Sequence, residues 1–262
     1  MTPPRRRNDR RGRKDGRENS PRNPPGGEWI WGRHPVAAAI ANPRRSELKR
    51  LLLAPGKMLD STGRDLPAVE TLDNASIARL LPQGAVHQGY ALLASPLEAV
   101  ELEELLEPAE GLLVMLDQVT DPQNVGNIMR SAAAFGARGV IVQDRHAPPL
   151  SGAVAKAAAG AADVVPMARV VNLSRALDAL AEAGWRTIGL DGEAPEALHE
   201  VLDFSPTVLV LGSEGEGLRR LVSEHCDVTA RIPMGGGFES LNVATAAAIA
   251  LYEASKPRRR HG

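Results

Sequence analysis

From Gly111 to its C-terminal end, the sequence alternates short, almost wholly apolar runs with segments of helical period. The runs fall at 112–117, 139–143, 186–190, 207–212 and 228–232, and the helical segments near 124–135, 152–160, 172–183, 217–225 and 241–255. Strands that are apolar on both sides need cover on both faces, and parallel strands need long, usually helical, crossovers. The expected fold class is therefore α/β, a parallel sheet with helices on both faces. Ligands on such sheets sit at the carboxyl ends of the strands. Every polar cluster discussed below lies just after one of these runs.

The preceding segment reads differently. Trp29 to Pro35 leads into an Ala-rich helix over 36–41, followed by a strand over 48–53, a helix over 74–81 and a strand over 88–93. This is a small α/β unit. Pro96, Pro108 and a string of glutamates mark a linking stretch between the two units. The expected organisation is a basic tail 1–27, a small unit 28–100, a linker 101–110, a larger domain 111–255 and a basic tail 256–262. A chain of 262 residues is long enough for one medium domain and a smaller one.

The net charge of −1 conceals an asymmetry. Of 31 basic residues, nine lie in 1–27 and four in 256–262, which leaves 18 against 29 acidic residues in the body. Basic ends rich in Pro and Gly, without apolar period, are expected to be disordered arms that attract polyanions such as RNA. The lone cysteine, Cys226, excludes an internal disulfide and a cysteine-rich metal cluster. No His/Cys/acid spacing suggests a metal. No apolar run approaches the roughly 18–20 residues of a membrane span, and the N-terminus lacks the apolar core of a signal peptide. The expectation is a cytoplasmic protein.

Three clusters carry the chemistry. In the first, Asp121-Pro122 ends a strand region and Asn124 is well placed to cap the next helix. Arg130 follows nearly two turns later among Ile128, Met129 and Ala132–Ala134. A guanidinium in such a helix needs a partner, either a phosphate or carboxylate ligand or an internal acid such as Asp117. The second cluster is Gly212-Ser213-Glu214-Gly215-Glu216-Gly217, whose glycines permit positive φ and close backbone approach. The third runs from Ile232-Pro233-Met234 through a triple glycine to Ser240-Leu241-Asn242, with two polar side chains at the start of the last helix. A dinucleotide fold carries its glycine turn after the first strand. Here the turns come late, and no such fingerprint follows the first strand of the larger domain, which disfavours a nicotinamide enzyme.

The order Asp121-Pro122-x-Asn124-x-Gly126-x-x-x-Arg130-Ser131, then Gly212 to Gly217, then Ile232-Pro233-Met234 and Ser240-Leu241-Asn242-Val243 resembles the SpoU/TrmH (SPOUT) family of RNA 2′-O-methyltransferases. Gly84 to Gly89, Val154 to Ala162 and Glu224 to Asp227 make the likeness closest to its branch of 23S rRNA guanosine 2′-O-methyltransferases. The resemblance implies S-adenosylmethionine as cofactor. It places Asn124, Arg130, Glu214, Ser240 and Asn242 at the catalytic centre, and Leu211, Gly212, Glu214, Gly215, Ile232, Met234 and Leu241 around the cofactor. It also implies a C-terminal trefoil knot and a homodimer whose sites are completed across the interface. Segment 29–100 would bind the RNA, with Arg33, His34, Arg44, Arg45, Lys49 and Arg50 as phosphate contacts. A tRNA enzyme of the same family, or a non-catalytic RNA-binding ribosome-assembly factor, are the alternative readings. One departure stands out: family members often carry serine where this chain has Ala244.

Overall fold

The structure is a computed structural model, and it describes residues 25–59, 64–150, 153–236 and 240–256. Both basic arms therefore lie almost wholly outside the described residues.

The N-terminal unit runs β1 (Glu28–Trp31), α1 (Arg33–Ala41), β2 (Leu48–Leu53), β3 (Val69–Thr71), α2 (Asn74–Leu80) and β4 (Tyr90–Ala94). Its four strands lie in the order β1-β4-β2-β3, with β4 antiparallel to both β1 and β2 and β3 parallel to β2. Side chains alternate across a strand, and β2 shows the consequence. Leu51 and Leu53 pack with Ile40 of α1, while Leu52 packs with Ile77 of α2 on the opposite face. The expected helix over 36–41 begins earlier, at Arg33, because Pro35 sits in the first turn, where its missing N–H is no loss. β1 and β3 are short edge strands that the sequence pattern did not separate from loop.

A one-turn helix, α3 (Glu103–Leu106), lies in the linking stretch. This stretch is packed rather than free. Val100 N donates to Met167 O at 2.9 Å, Leu105 is buried, and Trp185 Nε1 donates to Leu106 O at 2.8 Å. Gly139 leaves the room Leu105 needs, since a Cβ there would lie 2.7 Å from its Cδ2.

The larger unit continues β5 (Leu112–Leu116), α4 (Pro122–Ala134), β6 (Gly139–Gln143), α5 (Ala153–Ala158), a 3₁₀ turn (Ala161–Asp163), β7 (Met167–Val170), α6 (Leu173–Glu182), β8 (Arg186–Leu190), α7 (Leu198–Val201), β9 (Thr207–Leu211), α8 (Arg220–Glu224), β10 (Val228–Ala230) and α9 (Val243–Ser255). All neighbours in its six-stranded sheet, ordered β10-β8-β9-β5-β6-β7, are parallel. One face is covered by α4, α5 and α9, with Ile128, Met129, Ala247 and Leu251 in the core, and the other by α6 and α8, with Leu177, Leu180 and Val222. The expected α/β class is the one found. β7 escaped the sequence reading because it is four residues long and carries Arg169.

The two units are joined by buried charge. Arg45 ion-pairs with Glu28 of β1 and, at 2.7 Å, with Asp163 of the larger unit; Asn42 donates to the same carboxylate at 3.0 Å. Beside them, Gly160 comes so close to α1 that a Cβ would lie 2.9 Å from Pro35 Cα. Burial would lower the Arg45 pKa, but the hydrogen bonds and charges of Asp163 and Glu28 outweigh it and the value is raised.

Candidate active site

The chain leaves β5, moves to β6 and β7 on one side, then returns to β8 and β9 on the other. The order reverses between β5 and β9, so the loops leaving these two strands face each other at a switch point. After β5, Asp121 caps α4, its carboxylate accepting from Gln123 N at 3.3 Å and Asn124 N at 3.1 Å, with Pro122 as the first helical residue. Asn124 is thus not the cap that the sequence suggested. Because Asp121 takes that role, the Asn124 side chain is released toward the loop after β9.

There it meets Glu214. Asn124 Nδ2 donates to Glu214 Oε1 at 3.1 Å, Asn242 Nδ2 donates to Asn124 Oδ1 at 3.0 Å and also to Glu214 Oε1, and Val243 N reaches the same oxygen at 3.4 Å. Asn242 is in turn the cap of α9, its Oδ1 accepting from Ala244 N at 2.9 Å and Thr245 N at 3.3 Å. One residue from each of the three clusters therefore belongs to a single network, and donors from two of them converge on one carboxylate oxygen.

Behind the network lies a cavity of about 650 Å³ lined by Leu211, Gly212, Ser213, Glu214, Gly215 and Gly217 after β9, by Ile232 and Met234 after β10, and by Ser240, Leu241, Asn242, Val243 and Ala246 at α9. Gly215 and Gly217 take φ of 89° and 67°, in the left-handed region where glycine is favoured. The sequence reading missed Leu190, Asp191 and Gly192, which line the cavity from the end of β8. The signal was available, since an Asp-Gly pair at the carboxyl end of a strand is where such sheets bind ligands.

Arg130 is placed apart. It lies six residues beyond Asn124 on α4, about 9 Å along the axis and on another face. It is exposed and does not line the cavity, and its guanidinium has no hydrogen-bond or ion-pair partner among the described residues. Asp117 does not serve as its counter-ion, because that carboxylate pairs with Arg219. Ala244 is 8% exposed in the core, and neither it nor Thr245 lines the cavity.

Of the basic residues expected to meet phosphate, Arg33 and His34 are exposed in the first turn of α1. Lys49 Nζ donates to Gly26 O at 2.7 Å, and Arg50 forks onto Glu70 at 2.8 and 2.7 Å while lying over the Trp29 ring. Arg44 is half-buried, and burial lowers its pKa against the opposing pull of Asp163 and Glu104. Arg45 requires a correction. It is 2% exposed and committed to Glu28 and Asp163, so no phosphate can reach it. Among the described residues no group of three or more His, Cys, Asp or Glu is arranged to hold a metal, and no helix is long and apolar enough to cross a membrane.

Comparison with known proteins adds to this geometry. Residues 111–252 match the SpoU rRNA Methylase family, and residues 29–100 match the RNA 2′-O ribose methyltransferase substrate binding domain. The chain is 40% identical over 249 residues to the 23S rRNA (guanosine-2′-O-)-methyltransferase RlmB of Pseudomonas aeruginosa, covering 88% of this chain and 97% of that protein. An uncharacterized tRNA/rRNA methyltransferase of Mycobacterium sp. is 36% identical, over 88% of this chain and 77% of that one. Among solved structures, the SpoU methyltransferase AviRb from Streptomyces viridochromogenes in complex with AdoMet superposes with a TM-score of 0.69 at 27% identity, covering 88% of this chain and 90% of that chain. The AdoMet-bound rRNA methyltransferase from Sinorhizobium meliloti gives 0.69 at 25% identity, covering 88% of this chain and 87% of that chain.

Proposed function

The chain belongs to the SpoU rRNA Methylase family, and from that membership we propose that it transfers a methyl group from S-adenosylmethionine to the 2′-hydroxyl of a guanosine ribose in 23S rRNA. The observation that carries the proposal is the network joining Asn124, Glu214 and Asn242 at the cavity.

The residues present fit the cofactor. Leu190, Leu211, Ile232 and Leu241 offer apolar walls to a planar base, the backbone of 212–217 offers amides and carbonyls, and the Asp191 carboxylate offers an acceptor to hydroxyl or ammonium groups. Bound there, the sulfonium supplies an already electrophilic methyl group. The protein's task is alignment and removal of one proton. Holding the ribose hydroxyl in line contributes much of the rate. Three donors converge on Glu214 Oε1, which makes this side chain the anchor of the site. A guanidinium stays protonated at ordinary pH. Arg130 therefore binds the phosphate beside the target and polarises the hydroxyl, and the proton leaves through a neighbouring group or water.

A homodimer belongs to the same proposal. Arg130 is exposed outside the cavity of its own chain, which favours a site completed by the Arg130 of a second copy. RNA contacts are assigned to Arg33, His34, Arg44, Lys49 and Arg50 of the N-terminal unit. The trefoil knot of the C-terminal chain and a cytoplasmic location follow from the family and are carried as proposals with it. Incubation of the purified protein with methyl-labelled cofactor and unmodified 23S rRNA, followed by mapping, should place the label on one guanosine 2′-oxygen. Label on tRNA alone would favour the tRNA reading, and no calorimetric affinity for S-adenosylmethionine would favour a non-catalytic RNA-binding protein.

A further inference from the structure

Asp117 is fully buried, yet it does not line the cofactor cavity. It stands one residue after β5, with its backbone N–H on Leu211 O at 2.8 Å, where β9 ends. Its side chain reaches the far end of the 212–217 loop. Oδ1 accepts from Arg219 Nε at 2.7 Å, and Oδ2 from the Arg219 backbone N–H at 2.9 Å. Arg219 Nη2 continues to Gln143 Oε1, at the end of β6, at 3.0 Å. One residue thus holds both the entrance and the exit of the loop that carries Glu214. The neck between them is closed by mutual Ser213–Gly217 backbone hydrogen bonds of 3.1 Å. It is too tight for a side chain, since a Cβ on Gly212 would lie 2.0 Å from the Gly217 carbonyl carbon.

From this geometry we infer that Asp117 and Arg219 form a clasp that fixes the cofactor loop in its binding shape, making both of them positioning residues for methyl transfer. The inference rests on the cofactor assignment above. It fits the chemistry of the pair, because each carboxylate oxygen of Asp117 accepts from a different N–H of Arg219, one on the side chain and one on the backbone. An amide in its place would set an NH2 donor against one of these two N–H groups. A buried acid that merely needed neutralising would have no reason to engage the Arg219 backbone.

The test compares full-length wild type with Asp117→Asn, Arg219→Lys and Gln143→Ala. It reads S-adenosylmethionine affinity by calorimetry, affinity for a 23S rRNA fragment, thermal stability, and amide exchange at Ser213, Gly217 and Arg219. Asp117→Asn should weaken cofactor binding about tenfold, the scale of a lost charge-assisted hydrogen bond. Exchange at the three amides should quicken while RNA affinity holds. Arg219→Lys keeps the charge but loses the fork, so it should show the same pattern more mildly; Gln143→Ala, more mildly still. If Asp117→Asn does not fold, Arg219→Lys decides. Unchanged cofactor affinity and exchange in folded variants would overturn the clasp, as would a uniform loss of cofactor and RNA affinity tracking a lower Tm. Failure of wild type to bind the cofactor would instead overturn the proposed function, and exchange alone would then judge the clasp.

Discussion

Asn242 Nδ2 donates to Asn124 Oδ1 over 3.0 Å, tying the cap of α9 to the first turn of α4 across 118 positions of sequence. The same nitrogen reaches Glu214, while the Oδ1 of Asn242 caps its own helix. One side chain therefore caps its own helix through its oxygen and ties the three-residue network together through its nitrogen.

Substitution can separate these roles. Asn242→Asp keeps the cap but loses both donors and sets a second carboxylate against Glu214. Methyl transfer should fall by about 100-fold, the scale of a misaligned reacting group, with little change in Tm. Asn242→Ala should lose the same activity and about 1 kcal/mol of stability besides. Single-turnover methyl transfer and thermal melts on both variants check the separation.

Arg130→Ala should abolish transfer while leaving cofactor affinity intact, because Arg130 does not line the cavity. In mixed dimers, an Arg130→Ala subunit paired with a Glu214→Ala subunit should regain one working site and about half of wild-type turnover, as expected if residues acting as a unit come from two chains. No recovery on mixing and refolding would place Arg130 in the site of its own chain.

Gly126 sits where α5 crosses α4, and a Cβ there would lie 2.3 Å from Ala157 Cβ and 2.9 Å from Val154 O. Alanine is the better helix former by about 1 kcal/mol, yet Gly126→Ala should destabilise by about 1–3 kcal/mol through overpacking. Denaturant unfolding measures the sign.

Arg45→Ala should cost about 3–5 kcal/mol, as when one partner of a buried ion pair is removed, since Arg45 and Asp163 are 2% and 4% exposed. Arg50→Ala should cost no more than about 1 kcal/mol, because Arg50 and Glu70 are 40% and 41% exposed. RNA affinity should show the reverse order, falling for Arg50→Ala and not for a folded Arg45 variant such as Arg45→Lys. Filter binding beside urea titrations would reveal it.

Burial, reinforced by Asp227 and Asp117, pushes the Cys226 thiol up to about 12. The reactive thiolate is the form that burial disfavours, so at pH 8 almost no thiolate is present. Iodoacetamide should leave the native protein unlabelled and modify it once urea has unfolded the chain.

The α/β class and the strands over 139–143 and 186–190 were legible because each depends on a local pattern of apolar residues. The three glycine- and asparagine-bearing clusters were legible as a candidate site because their residue types are unusual for packing alone, and the structure brings a residue of each into one network. The sequence could not say that Asp121 rather than Asn124 caps α4, nor that Arg45 serves burial while Arg50 stays accessible. Capping and burial depend on neighbours supplied by distant segments. Asp163 lies 118 residues from Arg45, and Asp117 lies 102 from Arg219. By itself, the sequence determined the longer apolar strands and helices and which residue types gather after those strands, since both follow from short-range periodicity and backbone freedom, whereas the short strands β1, β3 and β7 stayed hidden. The tertiary structure alone decided the partners of Arg45 and Arg219, because an ion pair between distant segments is set by distance in space and by the exclusion of water, and neither is written into the local order of residues.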